Sequence, residues 1–316
     1  MKLDRPICKT ALYRTGKRWY NLFSFSGKEM LMEQQQKTRK HAAFAVIRIV
    51  LILLLFGIVA FSAYRIYAIV HEYAIGQDTY RSVADAFLIT PSPVPKNAAV
   101  PIPTPVPSDS ELPSASPDPD DDRIAGTAPI AVDFERLLQE NGDCVGWIYC
   151  EDTKINYPVM QSDDNAAYLH RLFDGSYNSS GSLFMDFRND PNLTDLNTVI
   201  FGHSMKDHSM FATLRDFRNQ TFYASHPHLY FLTPNGDFRL DPIACAVVSA
   251  FSDSYEFYDT EEDLHAYLER IAAISLIQTD TDLASVRRIM TLSTCSVEER
   301  ETRIILVCAV RTLSGN

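Results

Sequence analysis

One apolar run of membrane-spanning length constrains this chain more than any other feature. It extends for 23 residues from Ala42 to Tyr64, and its one charged residue is Arg48, close to its start. A helix rises about 1.5 Å per residue, so a run of this length can cross a hydrocarbon core of about 30 Å. The run therefore predicts a transmembrane helix over residues 42–64, with Arg48 reaching back toward the headgroups.

The charge around this run predicts its orientation. Residues 1–41 hold ten Lys and Arg against three Asp and Glu, although the whole chain has a net charge of −11. A basic flank stays on the cytoplasmic side, so residues 1–41 are predicted to be a cytoplasmic tail and the acidic remainder to be exported. An acidic exported part argues against nucleic acid as a partner. A cleaved signal peptide is the alternative, because Ala60-Phe-Ser62 has small residues, but a 41-residue lead is long for one.

The stretch beyond the run divides into two segments. Residues 65–90 form a predicted juxtamembrane segment, in which Ile66–Ile89 can continue as a helix. Ten of the seventeen prolines then fall between Pro91 and Pro119. Spaced prolines favour an extended, semi-rigid chain, so residues 91–129 are predicted to be an extracellular linker.

Residues 130–316 predict a folded domain that is mainly β with peripheral helices. Many short apolar runs separated by turns are typical of a closed or nearly closed barrel, and Pro234-Asn-Gly236 is a hairpin signal. The strands predicted ahead of residue 289 are Gly146–Cys150, Tyr157–Met160, Gly181–Met185, Thr198–Gly202, Leu229–Thr233, Gly236–Leu240 and Ala244–Phe251.

Two helices are predicted beside these strands. The first has Asp133 as its N-cap and ends at Asn141-Gly142. The second begins at Thr260, where Asp263 completes a pattern like a capping box. One face of the second helix is apolar and is formed by Leu264, Tyr267, Leu268 and Ile271.

A predicted hairpin near the C-terminus brings a cysteine and an arginine together. Ile289–Thr294 and Ile304–Val310 have strand character, and the polar stretch 296–302 between them predicts a loop. Antiparallel pairing would place Cys295 opposite Arg303, with Cβ atoms about 5 Å apart. A guanidinium favours a thiolate and can hold an oxyanion.

The other cysteines are interpreted as structural. Cys308 shares a strand face with the apolar residues Ile304, Leu306 and Val310, which predicts a core position, and Cys245 is similar. Cys144 and Cys150 flank a short strand, and free thiols are the preferred interpretation over a bridge between them.

A cysteine nucleophile usually works with a histidine, and His203 is the candidate. Among eight histidines, it alone follows an apolar strand and a glycine, Val199-Ile-Phe-Gly202, where a side chain can project from a barrel rim. His208, His226 and His228 lack the spacing of zinc ligands. No metal and no cofactor are therefore expected.

Thr291-Leu-Ser-Thr-Cys295, the Phe201-Gly-His203 strand end and Arg303, in this order, resemble the sortases, the cysteine transpeptidases of the Gram-positive cell surface. The resemblance covers about Asp133 to Arg311 and is strongest to class B, because Ser293 stands within the motif and a long segment precedes the cysteine strand. It implies a closed barrel of about eight strands, preceded by an N-terminal helix and with a further helix before the cysteine strand.

The resemblance also implies a reaction and a location. The enzyme would be a membrane-anchored thiol peptidase and acyltransferase of EC 3.4.22 type, with its catalytic domain outside the plasma membrane. Cys295 would be the nucleophile, His203 the acid and base, and Arg303 the oxyanion stabiliser. Its partners would be exported proteins that carry a C-terminal sorting signal, cleaved after Thr, and an amine of peptidoglycan or of a lipid-linked precursor.

Substrate-contacting residues are carried over from the family pattern. They are Asn165 and Leu169, on a predicted helical turn, with Ser293 and Thr294 of the cysteine motif. Tyr255 and Tyr258 can line the groove or pack as aromatic core. Ser296 stands where some class B members have an acidic residue, which leaves substrate preference open.

Three alternatives remain open at this point. The first is an inactive module that binds sorting signals or cell wall, and the intact Cys, His and Arg set argues against it. The second is a sortase that assembles pili, and the third is a hydrolytic cysteine protease, in which water rather than an amine would resolve the thioacyl intermediate.

Overall fold

A computed structural model describes residues 23–89, 122–295 and 301–315, with the side chains of residues 23–29 and of Cys295 left aside. The chain divides into two compact units, residues 1–67 and Ala68–Asn316. Most of the predicted linker and the predicted loop at 296–302, and about half of the predicted cytoplasmic tail, lie outside the described residues.

The helices are confirmed with small shifts at their ends. Within the described residues the α-helices are α1 Phe23–Phe87, α2 Phe134–Glu140, α3 Gln220–Ser225 and α4 Glu261–Ala273. Helix α2 has Asp133 as N-cap, whose side chain accepts from Arg136 N. Helix α4 begins after Thr260, whose hydroxyl accepts from Asp263 N at 3.1 Å and donates to the Asp263 carboxylate at 2.6 Å.

The apolar run lies within α1. The part Met30–Phe87 is long and apolar enough to cross a membrane by length and composition, and large apolar side chains of the run, such as Leu51 and Phe56, are exposed. Exposure of this kind suits contact with lipid rather than with a protein core. The predicted helical continuation through the juxtamembrane segment is confirmed as far as Phe87.

The strands form a closed, mixed barrel. They are β1 Leu88–Ile89, β2 Arg123–Ala125, β3 Ala131–Val132, β4 Cys144–Tyr149, β5 Asn156–Met160, β6 Leu183–Met185, β7 Asn197–Gly202, β8 Leu229–Thr233, β9 Gly236–Ser249, β10 Ile289–Cys295 and β11 Thr302–Ser314. Eight of them follow the order β10-β7-β6-β5-β4-β8-β9-β11, and β10 pairs with β11 to close the ring. The predicted barrel is thus confirmed, and β2 adds to β11 from outside.

Two predicted strands proved to be one. Gly236–Leu240 and Ala244–Phe251 were predicted as separate strands, but β9 runs from Gly236 to Ser249 and includes Pro242. Opposite β11, the register shifts between Val307 and Cys308, so that Val307 pairs with Ala244 and Cys308 with Pro242. A bulge at this point tolerates the proline, because the ladder is already interrupted there.

The barrel separates two apolar clusters. Met290, Leu292 and Leu306 belong to the larger cluster, which also contains buried residues of β4 to β9. Ile305 and Val307 belong to a smaller cluster beneath α4, together with Leu264 and its apolar neighbours on that helix. The period of two in β10 and β11 therefore assigns alternate residues to opposite faces.

Helix α1 contributes its C-terminal turns to the second unit. Tyr80, Val83 and Phe87 are buried in the larger cluster. The Tyr80 hydroxyl donates to Gly181 O at 2.7 Å, and the ring of Tyr80 meets that of Tyr157 edge-on at 5.2 Å.

The predicted domain limits at residues 65, 90 and 130 remain predictions. Strand pairing with the barrel starts at Arg123.

Candidate active site

Backbone pairing brings the three predicted catalytic residues to one rim of the barrel. Cys295, the last residue of β10, pairs with Arg303 of β11, which confirms the predicted hairpin register. On its other side β10 runs parallel to β7, and Thr294 pairs with Gly202. Since His203 directly follows Gly202, all three residues lie within one residue of the same rim.

Glycine at position 202 allows β7 to pack closely where it ends. A Cβ atom there would collide with the Leu183 side chain and would lie 2.7 Å from a ring atom of Phe211. Real Cβ atoms almost never approach that closely, so a larger residue would require β7 or these two side chains to shift. The glycine therefore allows the close packing of the residue that directly precedes His203.

The His203 ring is held by a backbone carbonyl. Its Nε2 lies 2.8 Å from Leu169 O. A carbonyl oxygen only accepts hydrogen bonds, so Nε2 carries a proton in this contact. Nδ1 is therefore the nitrogen that remains to gain and lose a proton.

Arg303 lies on β11, opposite Cys295 at the end of the hairpin, and is half-buried. Its Nη1 donates to Thr302 O at 3.0 Å, which holds the guanidinium beside the start of its own strand. A positive charge that stays ionised at all ordinary pH values suits the stabilisation of a developing oxyanion.

A cavity of about 330 Å³ opens at this rim. Seven of the nine predicted site residues line it: Asn165, Leu169, His203, Tyr255, Ser293, Thr294 and Arg303. Tyr258 does not line the cavity. Its ring stacks on Tyr267 with centroids 5.2 Å apart, and its hydroxyl donates to Asp253 O at 2.9 Å, so aromatic packing describes its position.

The residues of the cysteine motif differ in their hydrogen bonding. Ser293 is 1% exposed, and its hydroxyl lies 2.9 Å from the Tyr255 hydroxyl. The Tyr255 ring in turn lies 5.8 Å from that of Phe201. Thr294 is 2% exposed, and within the described part of the chain its Oγ1 has no hydrogen-bond partner. Such a hydroxyl at a cavity wall can bond to a ligand.

The stretch that carries Asn165 and Leu169 was predicted to be a helical turn, and this was wrong. It folds as successive bends and turns, in which the Asp164 carboxylate accepts from Ala166 N and Ala167 N, both at 2.8 Å. Asn165 then reaches across to accept from Phe187 N at 3.0 Å.

Sequence reasoning missed an ion pair in the cavity wall. Asp186 is 1% exposed, and Arg188 donates to both of its oxygens, from Nε at 2.9 Å and from Nη2 at 2.8 Å. The Arg188 guanidinium also lies 4.5 Å from the centroid of the Phe257 ring. The signal was available, since two opposite charges separated by one residue directly follow a strand.

This pairing outweighs the effect of burial on Asp186. Burial alone would raise the pKa of its carboxyl, but the hydrogen bonds and the charge of Arg188, with a hydrogen bond from Asn165, lower the pKa below the ordinary value. The carboxylate therefore stays ionised at neutral pH and keeps Arg188 in the wall of the cavity.

The four cysteines Cys144, Cys150, Cys245 and Cys308 are buried free thiols, as preferred from the sequence. Burial raises the pKa of Cys144 to about 12 and that of Cys150 to about 11, and it raises the pKa of Cys245 to about 12. A thiol that stays protonated is a poor nucleophile, so these four residues are poor candidates for a catalytic cysteine.

Comparisons with known proteins agree with this geometry. No protein-family model matches the chain. Sortase B of Staphylococcus aureus is 35% identical over 185 residues, which are 57% of this chain and 75% of that protein. Sortase B of Listeria monocytogenes is 37% identical over 163 residues, 50% of this chain and 65% of that protein.

A solved structure extends the likeness to three dimensions. The Staphylococcus aureus sortase B–substrate complex superposes with a TM-score of 0.54 at 33% identity, covering 57% of this chain and 85% of that one. The sequence identity and the shared barrel lead to one conclusion: this chain belongs to the sortase family of transpeptidases and is class B-like.

Proposed function

We propose that this protein is a membrane-anchored cysteine transpeptidase that cleaves a C-terminal sorting signal after Thr and joins the exported protein to a cell-wall amine. The observation that carries the proposal is the pairing of Cys295 with Arg303 on one side of β10 and of Thr294 with Gly202 on the other. This pairing supports a nucleophile, an oxyanion stabiliser and an acid–base residue at a single rim.

In the first half-reaction, the Cys295 thiolate attacks the carbonyl carbon of the Thr residue. A C–S bond forms, and the carbonyl electrons move to the oxygen, where Arg303 stabilises the negative charge. His203, as imidazolium, gives its Nδ1 proton to the leaving amine as the peptide C–N bond breaks. The C-terminal fragment leaves, and a thioacyl enzyme remains.

In the second half-reaction, His203 takes a proton from an incoming amine, which attacks the thioacyl carbonyl. Arg303 again stabilises the oxyanion, the C–S bond breaks, and the thiolate returns. Ordinary pKa values of about 8.5 for Cys and about 6.5 for His mean that few molecules hold the thiolate–imidazolium pair unless the site favours it. A cavity in which Arg303 lies at the cysteine end favours the thiolate.

The lining of the same cavity supports a set of substrate-contacting residues. Leu169, Ser293, Thr294 and Tyr255 line it, and Thr294 Oγ1 offers a hydrogen bond that the described residues do not use. We assign them to substrate contact, and Asn165 beside them. Tyr258 is not carried into this assignment, because its hydroxyl is engaged by Asp253 O.

The location is part of the proposal. The apolar part of α1 and the basic residues 1–41 support a single membrane anchor with the N-terminus inside and the catalytic unit outside, on a Gram-positive surface. Labelling of intact cells with a membrane-impermeant reagent, at single cysteines placed in residues 1–41 or beyond residue 130, distinguishes this orientation from its reverse.

The first test uses the full chain in detergent with quenched peptides of the NPxTx, LPxTG and PPxTG types. Cleavage after Thr and a thioacyl adduct in mass spectrometry are expected for the wild type and not for Cys295→Ala. An added amine should divert the product from the free acid to the amide. A folded chain that binds a peptide without forming an adduct would instead indicate a binding module, and product that stays the free acid with amine present would indicate a hydrolase.

A further inference from the structure

A second histidine lies against the ring of His203. The centroids of the His170 and His203 rings are 5.6 Å apart, and their planes differ by 14°. Offset stacks of this geometry contribute favourably beyond the area that they bury. His170 is exposed and His203 is partly exposed, so the stack shields one face of the His203 ring from water.

The two contacts to His203 come from consecutive residues. Leu169 O holds Nε2 in the plane of the ring at 2.8 Å, and His170 covers a face of the same ring. An imidazole on an exposed side chain can rotate about two bonds. One contact in the plane and one on the face together restrict both rotations.

The segment that carries these two residues is itself anchored. Ser182 N donates to Tyr168 O at 3.0 Å, and Asn178 N donates to His170 O at 3.0 Å. Gly181 has φ of +56°, and a Cβ atom there would lie 2.7 Å from Tyr168 O. Only a glycine allows the chain to pass so close in this conformation, so the segment is a firm support.

We propose that His170 is a positioning residue for the transpeptidation, which acts by holding the His203 ring in the orientation that keeps Nε2 on Leu169 O and leaves Nδ1 for proton transfer. This inference rests on the role proposed above for His203. It assigns His170 no proton transfer of its own. The shape and flatness of its ring carry the function, and a non-titrating ring of similar size can replace it.

The expected effect is moderate and falls on the chemical steps. Losing one aromatic stack should lower the population of the competent orientation about two- to tenfold, which corresponds to about 0.4 to 1.4 kcal/mol. We therefore expect His170→Ala, in the full chain in detergent, to lower kcat and the rate of thioacyl formation by that factor with KM unchanged. His170→Phe should restore both to within about twofold of wild type, because a stacked ring is kept.

The ¹⁵N NMR shifts of His203 distinguish a loss of ring positioning from a general loss of structure. In the wild type and in His170→Phe, the ¹⁵N shifts of a labelled His203 should report a protonated Nε2 and an unprotonated Nδ1 in the neutral ring. In His170→Ala, they should move toward an average of the two tautomers, because the ring is released from Leu169 O. Unchanged ¹⁵N shifts together with unchanged kcat in His170→Ala would overturn the proposal.

His226 provides a matched control. Its ring stacks on that of Phe222 with centroids 4.1 Å apart and planes 23° apart, and its Nδ1 lies 2.9 Å from Phe222 O. Like His203, His226 has one contact to a backbone carbonyl and one stacked ring, but it does not line the cavity. His226→Ala should therefore leave kcat unchanged. An equal fall of kcat in His226→Ala and His170→Ala, or no rescue by His170→Phe, would refute the positioning role.

His203→Ala distinguishes failure of this inference from failure of the proposed function. If His203→Ala abolishes turnover and His170→Ala does not alter it, the inference alone fails. If His203→Ala keeps wild-type turnover, the proposed acid–base role fails and the inference fails with it.

Discussion

Arg303 pairs with Cys295 across the antiparallel register of β10 and β11, and this pairing places a permanent positive charge at the strand end that carries the proposed nucleophile. The same strand β11 carries Arg311 farther along, where both of its terminal nitrogens donate to Ser285, to the carbonyl and to the hydroxyl oxygen, each at 3.0 Å. Both arginines thus lie on β11, but Arg303 lies at the rim that carries Cys295 and Arg311 does not.

The first prediction uses this difference. Arg303→Ala should lower kcat/KM by about 100- to 1,000-fold, as removal of an oxyanion donor does in other acyl-transfer enzymes. Arg303→Lys should keep part of the activity, because it restores the charge without the planar fork. The measurement is peptide cleavage at fixed pH.

Arg311→Ala is the control and should stay within about threefold of wild type, since surface pairs contribute little. A wild-type kcat/KM in Arg303→Ala would show that Arg303 does not stabilise the oxyanion.

The second prediction concerns the ion pair in the cavity wall. Asp186→Asn keeps the size of the side chain and removes the charge that holds Arg188. We expect it to lower the free energy of unfolding by about 1–3 kcal/mol, the lower values applying because Arg188 is partly exposed. KM for the peptide should rise more than kcat falls, since Asp186 and Arg188 line the cavity and have no assigned role in the chemical steps.

Chemical denaturation and steady-state kinetics measure the two effects. Asp190→Asn is a suitable control, because Asp190 is a nearby carboxylate that bonds to Asn192 and Thr194 in its own turn and does not line the cavity. An unchanged KM in Asp186→Asn would show that the wall does not contact the peptide.

The third prediction concerns thiol reactivity. Because burial raises the pKa values of Cys144, Cys150 and Cys245 to about 12, about 11 and about 12, these thiols should resist alkylation at pH 8 in the folded protein. Cys308 is fully buried and should also resist. In a Cys8→Ser background, peptide mass mapping should find the adduct at Cys295.

Unfolding the same sample in urea should expose the four buried thiols to the reagent. Adducts at the buried positions before unfolding, or a pair at Cys144 and Cys150 that never reacts without a reductant, would contradict the free, buried thiols of this structure.

The fourth prediction is a pH dependence of stability at Asp241. Burial alone would raise its pKa, but hydrogen bonds from His228 and Arg239, at 2.8 Å and 2.8 Å, and their charges lower the pKa below the ordinary value. A carboxyl with a lowered folded-state pKa contributes stability above its unfolded pKa of about 4, and the contribution is lost as pH falls below that value.

The stability lost in Asp241→Asn should therefore be full at pH 6 and should shrink as the pH is lowered below about 4. Urea unfolding at several pH values measures the difference from wild type. A difference that stays constant from pH 6 to pH 3 would mean that the Asp241 pKa is not lowered by folding.

Local patterns predicted the elements well, for identifiable physical reasons. The N-caps at Asp133 and Thr260 bond to amides within three residues, so the chain near each cap contains the whole interaction. The hairpin from Ile289 to Val310 is also local, and its alternation was enough to place Cys295 opposite Arg303. The wrong separation of β9 at Pro242 arose because a bulge depends on the partner strand, which the local pattern does not contain.

The membrane-length run, the barrel class and the family motifs could be predicted from the sequence alone, because each depends on neighbours a few residues apart. Only the folded chain showed which groups meet at the cavity. His203 reaches the cysteine strand through the parallel pairing of β7 with β10, and its ring is held by Leu169 and His170, more than thirty residues earlier. Such contacts depend on strand order and loop closure, for which local spacing has no signal.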